Sequence, residues 1–283
     1  MARPFLKWAG GKGKLAPRIV AEAPVVFGRY HEPFLGAGAV FFAFEAAREC
    51  LPATLSDANA DLIRTFRAVR DDVDRLAGLL GDVANRYREL DPTGRAALYY
   101  DVRAEAPTDD TAAAARFIFL NKTCYNGLYR VNAGGGFNVP HGRYLRPRII
   151  DPEALHEAAK ALAHTELCLE DFEPACDAAR PGDFVYLDPP YHPLSKTANF
   201  TGYTSGDFGP ADQLRLRDAF DRLTARGVAA LLSNSDHPAI RALYKDRGYR
   251  LELVEMSRAI NSKASARKPI PELLISNRPI LEP

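Results

Sequence analysis

The chain has 283 residues, a mass of 31.1 kDa and a formal net charge of +1. Hydrophobic residues make up 47% and charged residues 26%, the balance of an ordinary globular protein, which excludes a disordered or fibrous chain. The longest apolar stretches, near Ala39–Phe44 and Val228–Leu232, fall far short of the roughly 18 residues that a membrane span requires.

In chain order, a basic N-terminal segment leads into a short strand at Tyr30–Leu35. A glycine turn, Gly36-Ala37-Gly38, opens a helix over Ala39–Glu49, and Ala53–Ser56 forms a second strand ending at Asp57. Strand, glycine turn, helix, strand and acid make the opening of a nucleotide-binding α/β unit. From Leu62 to Leu90 the pattern is helical, and a further helix is predicted over Thr111–Asn121. Thr123–Arg148 is rich in Asn, Gly, Tyr and Arg, which predicts a hairpin and loop. The α/β pattern resumes near Glu166. It continues with strands at Phe184–Leu187 and Val228–Leu232, helices at Pro210–Ala225 and Pro238–Arg247, and closing strands at Leu251–Met256 and Leu273–Ile275. The expected architecture is an α/β domain, residues 1–60 and 165–283, interrupted by a mainly helical insertion over 61–164.

Charge is unevenly placed. Residues 1–21 carry Arg3, Lys7, Lys12, Lys14 and Arg18 and no acid. Residues 116–148 carry Arg116, Lys122, Arg130, Arg143, Arg146 and Arg148 and no acid. Residues 256–271 carry Arg258, Lys263, Arg267 and Lys268 and no acid. If these runs converge they form a positive face suited to a polyanion such as nucleic acid; if not, they are solvated surface stretches. The four cysteines, Cys50, Cys124, Cys168 and Cys176, form no Cys-x-x-Cys pair. They read as reduced thiols of a cytosolic protein rather than zinc ligands. The N-terminal Met-Ala-Arg-Pro-Phe-Leu-Lys-Trp has no apolar core, so no secretory signal is expected.

Four segments carry chemistry. In Phe5-Leu-Lys-Trp-Ala-Gly-Gly-Lys12 two glycines let backbone approach a ligand beside Lys12, but the P-loop spacing is missing. In Glu32-Pro-Phe-Leu-Gly-Ala-Gly38 the full dinucleotide fingerprint is missing, because Phe41 stands where a third glycine belongs. Asp57, 21 residues after Gly36, has the spacing of an acid that accepts ribose hydroxyls. These features suit a nucleoside cofactor without a tightly held pyrophosphate. Asp188-Pro189-Pro190-Tyr191 follows the strand Phe184–Leu187. Asp188 and the Pro189 carbonyl are acceptors for the two hydrogens of a primary amine, and Tyr191 offers a face on which a base can stack. Within Leu120–Tyr144, Arg130 can read a guanine edge, Tyr125 and Leu128 can wedge into a base stack, and Arg143 and Tyr144 can hold phosphates.

Together these motifs resemble the DNA adenine methylase family, the α-type adenine-N6 methyltransferases, through nearly the whole chain and in the family's motif order. The resemblance implies a Rossmann-like S-adenosylmethionine-dependent domain and a target-recognition insertion, 61–164, carrying a β-hairpin. It places Trp8, Gly10, Gly11, Lys12, Pro33, Phe34, Gly36, Asp57, Asp171, Phe172 and Asp188 at the cofactor, with S-adenosylhomocysteine as product and no metal. It makes Asp188–Tyr191 the catalytic motif. It puts Lys7 on the first guanine of the site, Arg130 on a guanine, Tyr125 and Leu128 at intercalation points, and Asn126, Pro140, Arg143 and Tyr144 along the DNA. Pro193–Tyr203 resembles the loop that closes over a flipped base. The expected target is GATC or a relative beginning guanine-adenine in duplex DNA, and the expected location is the cytoplasm, at the nucleoid. The expected chain is a monomer free of membranes, with a separately acting restriction endonuclease as its one conceivable protein partner. An RNA adenine methyltransferase, a cytosine-amine methyltransferase and a non-catalytic DNA-binding regulator are the rival readings.

Overall fold

A computed structural model describes residues 1–48, 50–191, 208–256 and 270–278. The helices are α1 (Ala16–Glu22), α2 (Ala39–Ala47), α3 (Ala60–Asp71), α4 (Val73–Glu89), α5 (Pro92–Ala104), α6 (Asp110–Thr123), α7 (Pro152–Leu162), α8 (Phe172–Ala178), α9 (Pro210–Ala225) and α10 (Pro238–Tyr244). The strands are β1 (Tyr30–Glu32), β2 (Ala53–Asp57), β3 (Thr165–Leu169), β4 (Phe184–Leu187), β5 (Ala229–Ser235), β6 (Arg250–Met256) and β7 (Ile270–Ser276). They form one sheet in the order β3-β2-β1-β4-β5-β7-β6. The first five strands run parallel, and β7 runs antiparallel between β5 and β6. The result is a mixed α/β, Rossmann-like fold. Strand order reverses at β1 and β4, so the crevice outside their carboxyl ends is the expected ligand position. Among the described residues, no helix is long and apolar enough to cross a membrane.

Alternation along the strands builds two apolar layers. Phe184 and Tyr186 of β4 face one cluster, whereas Val185 and Leu187 face the other, as a period of two requires. Residues of α1 to α7 fill the first layer and residues of α8 to α10 fill the second. Helix α3 also closes the sheet edge: Arg67 donates to the Leu167 carbonyl and Arg70 to that of Thr165.

Helix starts follow side-chain caps. Asn59, Asp91, Asp109, Asp151 and Asp171 each accept a backbone N–H in the first turn that follows, and Pro92 and Pro152 occupy first-turn positions where no amide is missed. The helical pattern predicted over 62–90 is two helices. The break falls at Asp72, whose carboxylate accepts the Thr111 hydroxyl at 2.9 Å and so ties the corner to α6. Helices α1, α5, α7 and α8 were not anticipated. The expected hairpin is slight: its bridges are Cys124 with His141 and Val131 with Phe137.

The N-terminal segment is held rather than loose. The buried Asn121 side chain accepts the Lys7 N–H and donates to the Lys7 carbonyl, both at 2.8 Å, and also donates to Gly127 at 3.4 Å. This amide does the work of a neighbouring strand. Replacing Asn121 with Ala leaves two buried backbone groups unpaired and should cost about 2–4 kcal/mol. Urea unfolding should show the loss as a lower midpoint with an unchanged slope.

Candidate active site

The carboxyl ends of β1 and β4 are neighbours, and the glycine turn and the Asp188 motif leave the sheet there side by side. Two prolines stop β4 and turn Asp188 outward. The backbone behind them is braced: Gln213 of α9, 2% exposed, donates to the Pro190 carbonyl at 3.3 Å and accepts from Asn234 of β5 at 3.0 Å.

Lys12 is the centre of the site. Its side chain is 5% exposed, and its ammonium lies 2.9 Å from Asp188 Oδ1, 3.9 Å from Glu272 Oε2 and 4.5 Å from the Tyr191 ring centroid. It also donates to the Gly10 carbonyl at 2.9 Å. The Tyr191 hydroxyl donates to Glu272 Oε2 at 2.8 Å. The Lys12 ammonium holds the buried Asp188 Oδ1 directly, as an ion pair. Burial pushes the Asp188 carboxyl up to about 6 against the opposing pull of Lys12.

Other expected cofactor residues gather at the same edge. Gly36 has φ +49°, and a Cβ there would stand 3.0 Å from Trp8, so the indole and the turn fit only without a side chain. Trp8 stacks on Tyr129 with centroids 5.5 Å apart. Asp57 accepts the Gly36 N–H at 3.1 Å and the Asn59 N–H at 3.0 Å, and burial pushes it up to about 6. Phe34 stacks on Phe172 at 5.3 Å, and Phe208 closes the trio at 5.9 Å from each. Pro33 is buried beneath. Asp171 stands apart from this group in its contacts: it caps α8 and pairs with Arg215 at 2.8 Å. Behind the glycine turn, Glu32 is 3% exposed and accepts the Tyr30 hydroxyl at 2.8 Å; burial raises its carboxyl to about 8.

The recognition candidates lie on the loop after α6. Tyr125, Asn126, Arg130, Pro140 and Arg143 are exposed, while Leu128 and Tyr144 are half-buried. The Arg130 guanidinium folds back onto the Asn138 carbonyl, at 2.6 and 3.1 Å. Tyr87 of α4 bonds to His141 and Tyr99 of α5 to the Val139 carbonyl, each at 2.7 Å, which fixes the returning arm. Lys7 joins this loop to the N-terminal segment. Its ammonium lies 4.2 Å from the Tyr144 centroid, and a Cβ on Gly127 would overlap its side chain.

The first two basic runs therefore meet. Lys7 donates to the Lys122 carbonyl at 3.5 Å, and Arg3 and Arg148 share Asp151. Arg116 belongs elsewhere, because it bonds to the Val102 and Arg103 carbonyls at the end of α5. Lys12 is likewise spent inside the site. The basic residues of the third run and the loop Pro193–Tyr203 lie outside the described residues.

A family model for the D12 class N6 adenine-specific DNA methyltransferase matches residues 8–260. The chain belongs to that family. It is 42% identical to the Type II methyltransferase M.MjaIII of Methanocaldococcus jannaschii, over 97% of this chain and 99% of the relative. It is 38% identical to the Type II methyltransferase M1.LlaDCHI of Lactococcus lactis subsp. cremoris, over 97% and 95%. It is 37% identical to the DNA adenine methylase of Escherichia coli strain K12, over 98% and 96%. For this D12-class enzyme, four residues of the site had not been singled out in the sequence: Glu272, Phe208, Gln213 and Asn121. Glu272 did leave a signal, as a lone acid in the otherwise apolar strand Pro271–Ile275.

The buried acids make the enzyme's stability depend on pH. Glu32 folds with a carboxyl near 8 against an ordinary 4.5, so the folded chain holds a proton that the unfolded chain releases. Stability from this group is complete below about pH 4.5 and is lost as pH rises to about 8. Glu32→Gln should remove that slope, of at most about 1.4 kcal/mol per pH unit. Melting of the two proteins across about pH 5–9 should diverge as pH rises to about 8 and run parallel above it, with the wild type the one that loses stability.

Proposed function

We propose that this D12-class enzyme methylates the N6 amine of a flipped adenine in duplex DNA, within GATC or a closely related site. The observation that carries the reading is the Asp188 carboxylate, set at the carboxyl end of β4 and held by the Lys12 ammonium at 2.9 Å, with the Tyr191 ring against that same ammonium.

The residues fit S-adenosylmethionine, the donor that the family implies. The left-handed Gly36 turn under Trp8 allows close backbone approach. The buried carboxylate of Asp57 suits ribose hydroxyls, and Phe34 and Phe172 suit an adenine ring. Trp8, Gly10, Gly11, Lys12 and Pro33 complete the wall, and Asp171 joins it from the start of α8. When bound, the cofactor supplies an electrophilic sulfonium methyl group.

The protein's part is positioning and charge. An adenine amine is out of reach while stacked and paired, and flipping costs a few kcal/mol. Stacking on Tyr191 offsets roughly 1–3 kcal/mol of this. Asp188 and the Pro189 carbonyl accept the two amine hydrogens, which holds the nitrogen with its lone pair outward. As positive charge develops on that nitrogen, the Asp188 carboxylate stabilises it. Residues 61–164 act as the target-recognition domain. Arg130 and Lys7 read guanines, Tyr125 and Leu128 enter the stack, and Asn126, Pro140, Arg143 and Tyr144 follow the strand. The enzyme works as a monomer in the cytoplasm. The Type II names of two relatives suit a role beside a separately acting restriction endonuclease.

Labelled-methyl transfer to duplexes with and without GATC, followed by nucleoside analysis, tests the reading. N6-methyladenine confined to the GATC duplex is expected; label only in RNA, or in neither duplex, counts against it. Asp188→Ala should abolish transfer while DNA binding persists. In the wild type, transfer should fall about tenfold per pH unit below about pH 6, as Asp188 takes up its proton. Arg130→Ala should relax preference at one base pair by roughly 1–3 kcal/mol. An equal loss of binding on every sequence would instead mark Arg130 as a phosphate contact.

A further inference from the structure

Glu272 sits in β7, paired with Ser235 of β5 on one side and Val254 of β6 on the other. A charged side chain in such a strand is costly unless it is engaged. Here it is engaged twice. Its Oε2 accepts the Tyr191 hydroxyl at 2.8 Å and lies 3.9 Å from the Lys12 ammonium. Lys12 thus stands between two carboxylates, with Asp188 the nearer at 2.9 Å.

Each contact matters to a different part of the reaction. Tyr191 turns about two side-chain bonds, and a stacking platform is useful only in one orientation. The Glu272 contact fixes the hydroxyl end while Lys12 lies against the ring. Lys12 poses a second problem. An amine approaching Asp188 must share that carboxylate with a cation that already holds it. A second anion at 3.9 Å gives the ammonium somewhere to go without leaving its buried site.

We propose that Glu272 is a positioning residue for methyl transfer: it anchors Tyr191 through its hydroxyl and receives Lys12 as the target amine takes its place on Asp188. Glu272 need touch neither substrate nor cofactor, and acts through these two side chains. The inference rests on the assignment of Asp188 and Tyr191 to the reaction.

Single-turnover methylation of a target duplex by Glu272→Gln is the test. Gln keeps the size and a hydrogen-bonding oxygen but lacks the charge. The rate should fall roughly 10- to 100-fold, as expected for loss of a charge-assisted contact. Dissociation constants for DNA and S-adenosylmethionine should stay within about threefold, since the residue acts on the reacting arrangement rather than on binding. Combined with Tyr191→Phe, which removes the anchored hydroxyl, the loss should be smaller than the product of the two single losses. Glu272→Asp, which keeps the charge on a shorter arm, is the companion variant and should lose less than Glu272→Gln. A wild-type rate in Glu272→Gln overturns the proposal. So does a fully multiplicative double variant, or a loss traced wholly to weaker binding or to unfolding. Asp188→Asn in the same assay separates the two ideas. Full transfer by that variant removes the underlying assignment, whereas an inactive Asp188→Asn beside a fully active Glu272→Gln removes this inference alone.

Discussion

The buried ion pair between Lys12 and Asp188 is the constraint around which this structure is arranged. Removing one member of such a pair leaves the other charged in a dry site, at a cost of about 3–5 kcal/mol. One partner comes from the N-terminal segment and the other from β4, so the pair draws the first dozen residues across the carboxyl edge of the sheet. Asn121 holds that segment from the helical side and Trp8 covers the Gly36 turn from above. A single short stretch thereby touches the loop after α6 through Lys7, the glycine turn through Trp8 and the end of β4 through Lys12.

The same edge concentrates carboxylates that burial keeps from ionising freely. Glu32, Asp57 and Asp188 are all raised, and in each burial is the largest cause. Such groups oppose folding whenever they carry charge. The apolar layers on either side of the sheet and the capped helix starts supply the stability that the crevice gives up.

Residues that act through backbone geometry were legible in the sequence. The strand Phe184–Leu187 and the helix Pro210–Ala225 have the bounds expected, because an apolar run stopped by two prolines and a proline-led amphipathic repeat admit few alternatives. The glycine turn, Asp57 and the Asp188 motif arrive at one edge because parallel strands leave the sheet in one direction. Contacts between distant segments were not legible. Nothing local in Leu120-Asn121-Lys122 announces that its amide will stand in for a strand beside Lys7, more than a hundred residues away. Glu272 showed only as an acid in an apolar strand, and Phe208 only as another aromatic. Helices α5 and α7 had their Asp-Pro starts in plain view at Asp91-Pro92 and Asp151-Pro152, but their apolar faces are too short to stand out. Asp72 ended a helix through a bond to Thr111, a tertiary contact that periodicity does not encode.

The seating of Lys7 against Gly127 bears on how target preference can change hands between relatives. A lysine from the first ten residues occupies the space that any side chain at 127 would fill, and its ammonium rests on Tyr144. The loop and the N-terminal segment are therefore one interlocking part, made from two stretches of gene. A chimaera that imports a loop with a side chain at 127 brings it into the space of the resident lysine. The two stretches are therefore seated as a pair, and any side chain at residue 127 would have to displace the lysine.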